Sequence, residues 1–366
     1  ASLDAGKVAG YFGGQTLPAP PGRWGGGGGL RSIHSAQMPS PLTPLPKGEG
    51  DFTPAPVFQI EGRSYPVTVR YQAPSKGEDL SDGIASAIQN LWQHGTGDTL
   101  VFLPGEREIF AAQKVLAGAI KNAEILPLYS RLAVKDQDKI FHGSRRAPRI
   151  ILTTNVAETS LTVPNIRYVV DSGVARISRY SARLGVQQLH VEPVSQAAAQ
   201  QRAGRCGRVM AGVCVRLTDA AEFSARSAYT DPEILRSNLA GVILQMKALR
   251  LGEITAFPWL DAPDSKHVNE ALRVLEMLGA LDTQGHITPL GRDMARLPVD
   301  PRIARIALAG KGTAVAQEVA VLAAALSVND PHDMPATART QAQQAHAQWR
   351  DKSSDFITLL NLWQQW

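Results

Sequence analysis

The sequence predicts an α/β protein, a parallel sheet with helices on both faces, followed by an α-rich winged-helix-like module and the start of a further helical domain. Short aliphatic runs alternate with helical stripes from Val67 to Val170, the pattern of repeated βα units. A hydroxyl-rich loop joins two of these runs, as at the ligand-binding edge of a parallel sheet. Beyond Asp231 the strand-like runs give way to apolar residues at helical spacing, which continue to Trp366.

Residues 1–56 stand apart. GRWGGGGGL and MPSPLTPLPKGEGDFTPAP are rich in glycine and proline and show no apolar period, so this stretch is expected to be disordered or foreign to the rest, from a truncated, rearranged or misread frame. Residues 57–218 are expected to form the α/β domain. Its strands are Val67–Tyr71, Leu100–Leu103, Ala123–Leu128, Ile150–Thr153 and Tyr168–Val170; its helices are Leu80–Gln93, Glu106–Ala119 and Val134–Phe141. Glu106 and Glu108 place acids at the positive end of the second helix. Arg176–Val191 alternates around Gly185 and predicts a β-hairpin.

Residues 219–290 are expected to form the winged-helix-like domain. Asp231-Pro232-Glu233 reads as an N-cap with proline at the first helical position, opening one helix to Leu251. Asn269–Leu278 is a second helix, and Ala280–Thr288 a strand-turn-strand wing with His286 facing solvent. From 291 to 366 helices are expected at Pro301–Ala309, Ala314–Leu326 and Phe356–Trp366, with a glutamine- and alanine-rich exposed helix or linker at Gln341–Gln348. The last helix stops without a cap, so truncation is expected at this end too.

The 366 residues carry a net charge of +5 and a pI near 9.2, which suits a polyanionic partner without establishing one. The two cysteines, Cys206 and Cys214, make neither a disulfide framework nor a zinc set, and a reducing cytoplasm is the natural setting. Cys206 is expected to fill a small packing position. No apolar run approaches the roughly 20 residues that span a bilayer, so no membrane partner is expected.

Two islands carry the chemistry. TNVAETSLTVPNIRYVVDSG (Thr154–Gly173) leaves one strand through Thr159, Ser160 and Thr162, enters another, and ends in an acidic turn. QRAGRCGR (Gln201–Arg208) places Gln201, Arg205 and Arg208 at helical spacing, which would aim two guanidinium groups and an amide at one spot. That set suits a triphosphate: arginine stabilises charge on a transferred phosphoryl group, and glutamine can orient water. A solvated basic helix ending in glycine would have the same spacing. Gly204 and Gly207, poor helix formers, would let a backbone or ligand approach closely. In the hairpin, Arg176, Arg179, Tyr180 and Arg183 could contact a nucleic-acid backbone and stack on a base; a charged edge hairpin that prevents aggregation is the alternative.

The two islands resemble motifs V and VI of the superfamily 2 helicases in the form of the DEAH-box group. LVFLPGEREI (Leu100–Ile109) resembles motif IV, and LPLYSRL (Leu126–Leu132) the segment beside it. TDPEILRSNLAGVILQMKALRLG and ITPLGR resemble the domains that follow, and ISRYS is closest to the bacterial HrpA-type RNA helicases. The resemblance runs from about Phe58 to the end. It implies that 57–218 is the second RecA-like domain, that the later helices begin the ratchet (HA2) domain, and that the parent activity is ATP-dependent unwinding of, or translocation on, RNA, mainly single-stranded.

The resemblance further implies that Gln201 positions water, that Arg205 and Arg208 meet the β- and γ-phosphates, that Asp171 lies on the ribose side, and that Gly173 belongs to the same nucleotide-binding set. Thr154, Asn155, Thr159, Ser160, Ser130, Arg131 and the hairpin residues would grip the RNA backbone. No GxxxxGK[ST] loop and no DEAH tetrapeptide occurs in the 366 residues. The ligands of magnesium and the phosphate-loop lysine are therefore expected on a first RecA-like domain not present here, possibly a separate one acting in trans. The chain alone is expected not to hydrolyse ATP. A non-catalytic RNA-binding or scaffolding fragment of a decayed helicase is the competing expectation.

Overall fold

The computed structural model describes Val8 and residues 65–75, 77–142, 147–159, 161–181, 186–328, 330, 332 and 339–365. The expectations for residues 1–56 (Val8 apart), for Ser160, for Arg183 and for the hairpin turn at Gly185 concern residues outside these. The chain divides into two compact units, Ala1–Arg179 with Gln188–Pro232, and Tyr180–Gln187 with Glu233–Trp366.

The first unit carries the expected parallel sheet. Its strands are β1 (Val67–Tyr71), β2 (Thr99–Phe102), β3 (Glu124–Leu128), β4 (Arg149–Thr153), β5 (Tyr168–Asp171) and β8 (Gly212–Arg216), in the spatial order β1-β8-β5-β2-β4-β3. Every pairing is parallel, so all six carboxyl ends share one edge. Helices α1 (Leu80–Trp92), α2 (Glu106–Ala119), α3 (Val134–His142), α4 (Val156–Thr159) and α5 (Gln196–Ala203) follow in chain order, with the short α6 (Ala220–Ser224) after β8. The hairpin strands β6 (Val174–Ser181) and β7 (Val186–Pro193) form a separate two-stranded sheet.

Alternation along each strand sorts its side chains between two cores. Val101, Ile150, Leu152, Tyr168, Val170 and Val215 pack on one face with Ile84, Ile88, Ile109 and Leu116 of α1 and α2. Leu100, Phe102, Ile151, Val169 and Cys214 pack on the other with Ile140 of α3, Ala157 of α4 and Ala203 of α5. Each fully buried aliphatic or aromatic side chain contributes about 1.5–3 kcal/mol, so both faces must be covered. Cys206 is buried in the second core, where its thiol donates to the Ala203 carbonyl at 3.1 Å. The sheet is pinned below by Arg149, whose guanidinium donates to Asp98 at 2.9 and 2.6 Å and to the Ile140 carbonyl at 2.6 Å.

Two expected helices differ from the structure. The stretch Gln201–Arg208 is not helical throughout: α5 ends with Gly204 at its C-cap, and the Arg205 amide donates to the Arg202 carbonyl at 3.0 Å in a tighter turn. Gly207 then takes a φ of +77°, a value open to glycine and strained for other residues. The second is the expected helix from Asp231 to Leu251. It is a single 3₁₀ turn, Glu233–Leu235, followed by a break and a new helix, α7 (Ala240–Ala248). Asn238 restarts the chain by accepting from the Ala240 amide at 2.7 Å, and Asp231, read as a cap, bonds instead to Arg179 at 3.0 Å.

The second unit continues with α8 (Ser265–Met277), capped by Asp264, then α9 (Pro289–Ala295), α10 (Pro301–Gly310), α11 (Ala316–Ser327), α12 (Arg339–His346) and α13 (Asp355–Gln365). Leu239, Ile243, Leu244, Met246, Leu275, Leu281, Met294 and Ala304 form its core, so Met246 packs inward. The expected wing is reduced to one antiparallel bridge, Leu281 with Ile287, closed by Asp282, which accepts from the Gln284 and His286 amides at 2.9 and 2.8 Å. The His286 side chain is 73% exposed, as expected of a turn residue.

A Cβ on Gly207 would lie 2.5 Å from Val67 Cγ2 and 3.0 Å from the Tyr65 carbonyl oxygen. Gly207→Ala therefore combines backbone strain with a clash against β1, and is expected to lower stability by about 1–3 kcal/mol in urea denaturation. An unchanged midpoint would show that β1 is not held against this turn.

Candidate functional site

The two islands converge at the carboxyl edge of the sheet. Ser195 caps α5, accepting from the Ala198 amide at 3.2 Å, and Gln196 ties the same end to the Arg226 carbonyl at 2.8 Å. The buried stripe of α5 is Ala198, Ala199, Arg202 and Ala203, which turns Arg202 into the interior. There its guanidinium donates to Asp171 at 2.7 Å, to Glu158 at 3.0 Å and to the Val174 carbonyl at 3.2 Å, and lies 5.0 Å over the Phe102 ring. Arg202 and Asp171 are fully buried. Burial alone would depress the Arg202 guanidinium, but Asp171 and Glu158 outweigh it and hold it above its ordinary value.

Arg205 and Arg208 follow at the same three-residue interval. Arg205 donates to the Leu161 carbonyl at 3.4 Å and Arg208 to the Thr162 hydroxyl at 3.2 Å. Residues 202, 205 and 208 thus meet 158, 161 and 162 in order. Arg205 is half-buried and Arg208 exposed. Burial foremost, then repulsion from Arg208, lowers Arg205 from its ordinary value, with Glu158 opposing. Gln201 is half-buried on α5, one residue from Arg202.

Asp171 occupies the interior rather than an open edge. One carboxylate oxygen accepts from both Arg202 and, at 2.9 Å, the Gly173 amide. Gly173, at φ +74°, gives its carbonyl to Arg226 at 2.7 Å and to the Val194 amide at 3.0 Å. Both residues therefore face inward partners, and the ribose contact expected of Asp171 has no open approach to its carboxylate.

Three family models match this chain: the helicase conserved C-terminal domain over residues 82–210, the winged-helix part of the helicase-associated HA2 domain over 271–299, and its ratchet-like part over 300–359. The ATP-dependent RNA helicase HrpA homolog of Haemophilus influenzae is 48% identical over 85% of this chain and 25% of its own length. The Escherichia coli HrpA is 47% identical over the same shares. The chain belongs to the DEAH-box helicases. It corresponds to their C-terminal helicase region and spans about a quarter of the length of these curated relatives. Among solved structures, the E. coli DExH-box NTPase HrpB superposes with a TM-score of 0.70 at 34% identity, covering 80% of this chain and 37% of that one.

In this DEAH-box chain the residues expected to meet nucleic acid fall into two groups. Ser130 and Arg131 follow β3, and Thr154, Asn155 and Thr159 follow β4, so all five stand at the same sheet edge. Ser130, Arg131, Asn155 and Thr159 are exposed and Thr154 is half-buried. The described hairpin residues are committed elsewhere. Arg179 makes a two-pronged bond to Glu192 at 2.6 and 2.8 Å and a third to Asp231, and the Glu192 bond foremost raises it further above its ordinary value. Tyr180 accepts from Arg302 at 3.4 Å, and Arg176 lies across Gly105 and pairs with Glu108 at 3.5 Å. The expected free cations of the hairpin are, at Arg179 and Arg176, ion-paired ones.

Arg202 and Glu158 were not singled out by sequence reasoning. A signal existed: Arg202 falls on the alanine stripe of α5, where an exposed cation has no reason to be. Among the described residues no three His, Cys, Asp or Glu side chains converge on an ion-sized site, and Asp171 is engaged by Arg202. The described residues do not by themselves fit a magnesium ion.

Replacing Arg202 strands two carboxylates, one fully buried. Arg202→Ala is expected to cost about 3–5 kcal/mol, read as a fall in the chemical denaturation midpoint. A loss below about 1 kcal/mol, the range of exposed pairs, would show that the network is solvated.

Proposed function

We propose that this chain supplies one wall of an ATP site whose hydrolysis drives unwinding of, or translocation along, single-stranded RNA. The observation that carries the reading is the ladder in which Arg202, Arg205 and Arg208 meet Glu158, Leu161 and Thr162, because it joins a loop of exposed hydroxyl and amide groups to a half-buried Arg205 and an exposed Arg208. The names of the matched relatives, ATP-dependent RNA helicases from bacteria and yeast, support the same reaction.

In this reading Gln201 orients the attacking water, and Arg205 and Arg208 stabilise charge on the transferred phosphoryl group. Partial burial strengthens what Arg205 can do, because a guanidinium in a lower dielectric acts more strongly on a nearby charge. Asp171 and Gly173 act from behind, setting α5 in place, and touch no nucleotide. Thr154, Asn155, Thr159, Ser130 and Arg131 hold the RNA backbone, a sequence-independent contact whose affinity falls with salt. Ser160 and Arg183 join that set by their places in the motif and the hairpin. Magnesium, the phosphate-loop lysine and the acid that holds the metal come from a first RecA-like domain, in trans if need be. The 366 residues by themselves, with no GxxxxGK[ST] loop, do not hydrolyse ATP. A cytoplasmic setting suits both the substrate and two buried cysteines that are not joined in a disulfide.

The test is RNA-stimulated ATP hydrolysis by the chain alone and mixed with an isolated first RecA-like domain of an HrpA-type relative. The chain alone is expected to be silent and the mixture active. Arg205→Ala should abolish the restored hydrolysis, by about 10³-fold or more, while RNA affinity stays within about threefold. A silent mixture that still binds RNA would favour a non-catalytic RNA-binding module, and hydrolysis by the chain alone would contradict the half-site.

A further inference from the structure

The loop that carries the proposed RNA contacts has little regular backbone structure of its own. Helix α4 is a single turn, and its described supporting bonds are mixed: Ala157 amide to Thr154 carbonyl at 3.4 Å and Leu161 amide to Val156 carbonyl at 3.3 Å are long, and Glu158 amide to Asn155 carbonyl at 3.0 Å is ordinary. Its firm attachments are the buried Ala157 methyl and the Glu158 carboxylate on Arg202. Helix α5, by contrast, is fixed at its start by Ser195 and Gln196 and along its length by Ala198, Ala199 and Ala203 in the interior. Asp171, held by the Gly173 amide at the end of β5, is the fixed end of the network; Glu158, on the short turn, is the movable end.

We propose that Arg202 is a positioning residue, and that its bond to Glu158 is the link through which RNA on the β4–α4 loop sets Gln201 and Arg205 for hydrolysis. The inference rests on the function proposed above and deepens it. Arg202 is the immediate neighbour of Gln201 and one turn before Arg205, so a displacement of its guanidinium reaches both. No other described charged pair joins α4 to α5, since Arg205 and Arg208 reach the loop only through a carbonyl and a hydroxyl. Burial makes the link stiff: Arg202 is out of water, so on releasing Glu158 its guanidinium would keep Asp171 but leave the buried Nε donor without a partner. The electrostatics run the same way, because Glu158 also opposes the lowering of Arg205.

The test uses the full 366-residue chain, with Glu158→Gln as the main variant. The amide keeps an oxygen for Arg202 to donate to and removes the charge, so folding is retained. Oligouridylate RNA is added, and amide hydrogen exchange is followed separately in 154–159 and 198–204. In the wild type RNA is expected to slow exchange in both segments; in Glu158→Gln the first response persists and the second falls by at least about threefold. Arg202→Lys, which keeps a charge without the fork, should give the same loss. In the trans-complemented assay, Glu158→Gln should reduce the RNA-stimulated increment about tenfold while the RNA-free rate stays within about twofold, a split that general destabilisation would not produce. RNA binding with an unresponsive 198–204 segment in the wild type, or equal loss of stimulated and RNA-free rates in the variant, would overturn the inference and leave the proposed function standing. Failure of the wild type to bind RNA would remove the function and the inference together.

Discussion

The contact between Arg202 and Asp171 is the constraint on which the site depends. Both groups are out of water, and a lone charge in such a place would be strongly disfavoured, so each fixes the other. A well-packed apolar pair of the same volume could hold the helix to the sheet about as firmly. What the ion pair adds is placement. Only one seating of α5 over the ends of β4 and β5 lets the guanidinium reach Asp171, Glu158 and the Val174 carbonyl together, and that seating decides where Gln201, Arg205 and Arg208 stand.

The sheet itself was readable from the sequence because each strand is an aliphatic run closed by turn residues, and burial on both faces makes such runs continuous. Ile150–Thr153 and Tyr168–Val170 lie inside the strands observed, and Glu106–Ala119 matches its helix at both ends. Charge spacing was less informative. Arg205 and Arg208 stand at a helical interval, yet the helix has ended at Gly204, since an interval between charges says nothing about where a helix stops. Asp231 looked like a cap, and its side chain was taken by Arg179, 52 residues away in sequence, a competition that local pattern cannot contain. Arg202 escaped notice for the opposite reason. A charge in an alanine-rich helix reads as surface until the two acids that bury it are brought in from separate strand ends.

The hairpin illustrates how pairing changes the meaning of a basic stretch. Counted along the chain, Arg176 and Arg179 are cations beside an aromatic ring. In the fold Arg179 is enclosed by Glu192 on the partner strand and Asp231 beyond it, so its charge holds the hairpin's base in register. The cationic character of the edge rests instead on Arg131, Arg205 and Arg208, which come from two loops, after β3 and after α5, and gather only because every strand of the sheet runs the same way.

The order of the strands leaves β3 at one margin of the sheet, with Pro127 opposite Leu152 in its register. A proline in a marginal strand has no amide hydrogen to offer a neighbour, and the ring stiffens the backbone around it. A second molecule laid alongside would find its ladder interrupted midway. The parallel sheet is thereby closed to growth on that side, and a neighbouring chain cannot extend it there into a fibre.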